Sequence, residues 1–187
     1  MSLKAIQIEL NKLGKPETAL FIQKMAPGVK RVYGVKMPML HSIVSQYKSE
    51  GFPLIEELWK SGAFEERILA AKLLEKHAAS NPDKALKTVK KFSKEIDNWP
   101  VCDALGMQSL RGITKTHAKE IFQLADTLNS SPNFWQRRLS LVLVEWFTRD
   151  EKYHGAINKL IEPLRKDDEH YVKKAIQWLE KNLEKGK

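Results

Sequence analysis

Trp99 and Asp103 stand four residues apart in the segment Asp97-Asn98-Trp99-Pro100-Val101-Cys102-Asp103. With a helix beginning near Pro100, the indole and the carboxyl project from one side of its first turn. An acid there is most simply read as offsetting the positive end of the helix dipole. Its counterparts suggest more. One turn after an aromatic at the head of a helix stands a charged residue, four times over: Arg67 after Phe64, Asp103 after Trp99, Arg138 after Trp135 and Lys174 after Tyr171. If those helices stack, a single carboxylate sits in a row of three cations, which favour its ionised form. An ionised acid on a face that meets phosphate repels it, so its presence there needs a positive target.

The elements that must hold this row are helices. Apolar residues recur every three or four positions in 3–13, 18–25, 39–47, 54–59, 64–77, 85–92, 101–110, 118–128, 134–147, 156–164 and 171–183. Pro16, Pro38, Pro53, Pro82, Pro100 and Pro132 each stand before or at the start of a periodic run, with Asn81, Asn98 and Ser131 as candidate N-caps. Connections such as Lys60-Ser61-Gly62 are only a few residues long, which forces antiparallel pairs. Starts near Phe64, Trp99, Phe134 and Tyr171 are spaced by 35, 35 and 37 residues. The period predicts an all-α array of degenerate helical repeats, an α-solenoid with a basic concave face, as one domain over residues 1–187.

Charge points to a polyanionic partner. Lys and Arg outnumber Asp and Glu by 32 to 23, for a formal net charge of +9. From Lys24 to Lys48 there are five basic residues, Lys36 among them, and no acid. Lys84, Lys87, Lys91 and Lys94 share a helical face, which serves equally as a solvated surface or as a phosphate track. One cysteine, Cys102, excludes an internal disulfide framework and is expected to be buried and inert. The five histidines show no ligand spacing, so no metal site is expected. Without a long apolar run or a signal segment, the chain is expected to be a cytoplasmic, nucleoid-associated monomer with no membrane contact. Trp59, Trp135 and Trp146 lie on apolar stripes and are expected in the core.

Five runs, in order, resemble the AlkD-like DNA alkylation repair family. They are Tyr33-Gly34-Val35-Lys36-Met37-Pro38, Glu66-Arg67-Ile68-Leu69-Ala70-Ala71 and Trp99-Pro100-Val101-Cys102-Asp103, then Phe134-Trp135-Gln136-Arg137-Arg138 and Val172-Lys173-Lys174-Ala175-Ile176-Gln177-Trp178. The family comprises HEAT-like-repeat alkylpurine DNA glycosylases, so the resemblance implies a right-handed α-solenoid of degenerate HEAT-like repeats. The resemblance implies excision of positively charged N3- and N7-alkylated purines from duplex DNA, without metal or cofactor. It also implies that the lesion is engaged without being flipped into a pocket.

By the same resemblance the catalytic acid falls on Asp103, the two sugar-contacting tryptophans on Trp99 and Trp178, and the backbone-contacting arginine on Arg138. Where the family carries an acid directly after the first tryptophan, this chain has Pro100. Loss of a charged base leaves an oxocarbenium-like sugar, which a fixed carboxylate stabilises. Arg138 is expected to hold a phosphate bidentately, with Arg137, Lys173, Lys174, Arg67 and Lys36 as further DNA contacts. Two other functions suit the same surface: a non-catalytic relative that binds distorted or branched DNA, and a solenoid that binds acidic peptides.

Overall fold

The computed structural model describes residues 2–185, and every regular element among them is helical. The helices are α1 (Ser2–Leu13), α2 (Pro16–Met25), α3 (Met37–Tyr47), α4 (Phe52–Lys60), α5 (Phe64–Ala78) and α6 (Pro82–Phe92). They continue with α7 (Trp99–Gln108), α8 (Ala118–Asn129), α9 (Phe134–Val142), α10 (His154–Ile161) and α11 (His170–Lys185). Proline occupies the first turn of α2, α3, α4, α6 and α7, where its missing N–H costs no hydrogen bond. Asn98 caps α7 by accepting from the Val101 N–H at 3.0 Å.

Two start signals differ from expectation. Asn133, not Ser131, caps α9, accepting from the Trp135 N–H at 2.9 Å. Asn81 makes no side-chain cap bond.

Packing follows the expected α-solenoid. Helices α3, α5, α7, α9 and α11 lie side by side in chain order and form one layer. Helices α4, α6, α8 and α10 cover its other side, α5 packing on α4 and α6, and α9 on α8 and α10. One hydrophobic cluster runs from Ile6 to Leu183. Because α5 is enclosed by four neighbours, it buries even Glu65, Glu66, Arg67 and Lys72.

Two local features position the site. Glu65 is fully buried, and its carboxylate accepts from the backbone N–H groups of Tyr33 (2.9 Å), Gly34 (2.7 Å) and Val35 (3.1 Å). That clamp holds the segment after α2 against α5, with Gly34 at a φ of 83° that L side chains rarely adopt. The second feature is Gly106 on α7. A Cβ there would lie 2.6 Å from Cγ1 of Val142, so only glycine lets α7 and α9 approach this closely.

The long helix expected over 134–147 is shorter. Past Val142 the turn tightens, the Val144 N–H bonding to the Leu141 carbonyl three residues back, and Glu145–Arg149 forms a 3-10 turn. No helix among the described residues is long and apolar enough to cross a membrane.

Candidate active site

Asp103 lies one turn into α7, directly across from Arg138 one turn into α9. Arg138 Nε donates to Asp103 Oδ1 at 3.0 Å and its Nη2 to Oδ2 at 2.9 Å. This is the parallel, two-bond fork that fixes a carboxylate in one orientation. The remaining nitrogen, Nη1, donates to the Tyr171 carbonyl at 2.6 Å, near the start of α11. The guanidinium side chain is only 8% exposed and the carboxylate 21%. The acid therefore faces outward from a buried cationic support.

Asp103 also lines a cleft of about 400 Å³. Asp103 shares its lining with Trp99, Lys36, Phe21 and Met25 of α2, and Met37 of α3, among others. Trp99 is half-buried, and its indole N–H donates to the Met25 carbonyl at 3.3 Å, which joins α7 to the end of α2. Most of the lining is apolar, so the carboxylate is one of few charges there. Burial is the largest influence on Asp103 and pushes its carboxyl above the usual 3.8; the hydrogen bonds and charge of Arg138 pull it back without cancelling the rise. Cys102 next to it is fully buried, its thiol raised far above the ordinary range by burial.

Among known families, that of the DNA alkylation repair enzymes has a model that matches residues 6–185. The chain belongs to the DNA alkylation repair enzyme family. A solved structure described as a predicted DNA alkylation repair enzyme from Enterococcus faecalis superposes with a TM-score of 0.80 at 19% identity, over 92% of this chain and 84% of that one. At that identity the likeness is one of fold. A search of curated proteins finds no match.

For this DNA alkylation repair family member, three arginines expected at the DNA face are turned inward. Arg138 is buried, with Nε, Nη1 and Nη2 each donating to Asp103 or Tyr171. Arg137 grips Asp167 through Nε (2.6 Å) and Nη2 (3.3 Å), while Nη1 donates to the carbonyls of Ser131 and Pro132. Arg67 is buried over the Trp59 ring and donates to the Trp59 and Glu95 carbonyls and to Asp97. Arg137 and Arg138 turn inward because each finds an acid on a neighbouring helix pair, Asp167 and Asp103.

Lys36, Lys173 and Lys174 are exposed, Lys173 lying 3.8 Å from Asp168. Trp178 is half-buried on α11, two turns beyond Tyr171, and is absent from the cleft lining. Trp59 and Trp135 are core residues, the former stacked on Phe92 at 4.3 Å and the latter on Tyr171 at 4.9 Å. Trp146 is not: it is half-buried between two arginines.

One buried group, bonded to the cleft residue Gln108, escapes sequence inspection. Lys72 of α5 is buried, has no carboxylate partner among the described residues, and bonds to His41 Nε2 (2.8 Å) and Gln108 Oε1 (2.7 Å). Burial lowers its amine below the usual lysine value. The available signal was a lone cation within the apolar run Ile68–Leu74.

Proposed function

We propose that this chain is a monofunctional DNA glycosylase that excises N3- and N7-alkylated purines from duplex DNA. The observation that carries the proposal is the orientation of Asp103: a carboxylate locked by a buried arginine and presented to a mainly apolar cleft beside an indole.

Alkylation at N3 or N7 makes the purine a cation. When the bond from C1′ to the base breaks, its electron pair neutralises the departing base and leaves the positive charge on the sugar. The base needs no proton to leave, so no strong general acid is required. Asp103 stabilises the sugar cation, and water then adds at C1′, releasing a proton to solvent. Because Arg138 already holds the carboxylate, little reorganisation accompanies the reaction, which is the source of most electrostatic catalysis. Trp99 offers a π face to the polarised sugar, worth about 0.5–2 kcal/mol. Trp178 supplies a second aromatic face from α11 to DNA lying across the array. Arg138 is a positioning residue in this scheme, and exposed Lys36, Lys173 and Lys174 meet phosphates.

The test is release of free N7-methylguanine from a duplex under single-turnover conditions. Release by the native chain, with a loss of tenfold or more in Asp103→Asn, supports the proposal. A second reading rests on the same ion pair: a carboxylate with both oxygens engaged also suits a purely structural tie between α7 and α9. A relative that binds branched or distorted DNA without cleaving it needs nothing more, and the absence of base release from the native chain favours it.

A further inference from the structure

Beyond the C-terminal end of α7, Arg111 lies over the Trp146 ring with its guanidinium carbon 4.4 Å from the centroid, and Arg149 lies at the same distance. The indole is fixed, its N–H donating to the Met107 carbonyl at 2.7 Å. Arg149 is fixed as well, forked onto buried Glu145 at 3.0 and 3.2 Å, and Glu145 also accepts from Asn182 of α11 at 3.1 Å. Arg111 differs from both. It is exposed, and among the described residues its guanidinium makes neither an ion pair nor a hydrogen bond. Stacking covers only the face of a guanidinium, so its in-plane N–H donors remain free in a rigid direction.

We infer that the Arg111–Trp146–Arg149 stack is a phosphate-binding station on the DNA path, with Arg111 as the contacting residue. The inference rests on the DNA reading above and assigns to Arg111 the task the sequence suggested for Arg138. Three observations favour it. Arg67, Arg137 and Arg138 are all consumed by internal partners. Met107, whose carbonyl holds the platform, also lines the cleft beside Asp103, and Arg111 follows three residues after Gln108, another lining residue. Exposed Lys115 borders the same surface as Trp146 and Arg149 and adds a second cation without an ion-pair partner among the described residues, whereas neighbouring Asp150 is paired with Lys152 at 2.8 Å.

The experiment measures binding of an undamaged duplex against salt concentration for the native chain, Arg111→Ala, Trp146→Leu, and Lys91→Ala. Lys91 of α6, in the other helical layer from α7 and already paired with Glu56 of α4, is the control for loss of one charge anywhere. The expected result is a log–log salt slope about 1 shallower in Arg111→Ala, one phosphate's worth, with Lys91→Ala unchanged. Trp146→Leu should weaken binding in the same direction through loss of the platform, and Arg111→Ala should excise at the native rate once DNA is saturating. If the native chain binds and excises but Arg111→Ala keeps the native slope, the station is overturned and the glycosylase reading stands. An excision loss at saturating DNA with an unchanged slope overturns it too. A native chain that neither binds nor excises removes both.

Discussion

Arg138 ties three helices together through one side chain: its fork binds Asp103 on α7 from its own place on α9, and its third nitrogen reaches the Tyr171 carbonyl on α11. Electrostatic support for Asp103 and cohesion of the array thus depend on the same contact.

Replacing Arg138 by Met leaves a mostly buried carboxylate without its partner. Breaking a buried pair from one side costs about 3–5 kcal/mol, and the partial exposure of Asp103 puts this case at about 3. Denaturant unfolding should show that loss. Arg138→Lys, which keeps charge but not the fork, should lose excision while retaining native affinity and salt slope for undamaged duplex. A shallower slope in Arg138→Lys would restore the phosphate role.

Acidification should switch excision off above the ordinary carboxylate range. Burial holds the Asp103 carboxyl above 3.8, so the anion that stabilises the sugar is lost on a limb displaced upward from that value. Between 3.8 and the raised value the folded chain binds a proton that the unfolded chain has released, so this group lowers stability as pH rises through that window. Single-turnover base release against pH checks the prediction; an acid limb at or below 3.8 contradicts it.

Gly106→Ala should act on chemistry from a distance. The added methyl meets Val142 and Leu139 of α9 one turn from Asp103, pushing apart the helices that carry the ion pair. Overpacking of this kind costs about 1–3 kcal/mol. Excision should fall more than duplex affinity, and thermal unfolding should report the lost stability. An equal fall in both would place the effect on the whole surface.

Trp178→Ala should reduce excision more than it reduces binding of undamaged duplex. Measured side by side, the reverse outcome would make Trp178 a packing residue of α11.

Much of this was legible from helical periodicity, because a stripe of apolar residues states which side of a helix is buried. The eleven α-helices among the described residues follow from such stripes, as do Phe64, Trp99 and Phe134 at the heads of α5, α7 and α9. What periodicity could not supply was the partner across a repeat boundary. Arg67 finds Asp97, Arg137 finds Asp167 and Arg138 finds Asp103, at separations of 30, 30 and 35 residues. Two of the three cations in the row, Arg67 and Arg138, are therefore ties between successive helix pairs, as is Arg137, while Lys174 stays exposed. Trp146 lies outside the core because the tightening after Val142 ends α9 early and turns the indole out of the apolar stripe.

The most direct measurement is the rate at which free N7-methylguanine leaves duplex DNA with the native chain and with Asp103→Asn, both in excess over DNA. The account predicts release by the native chain and a fall of at least tenfold in the variant, about 1.4 kcal/mol of transition-state stabilisation, with duplex affinity retained. Equal release by the two proteins would contradict it.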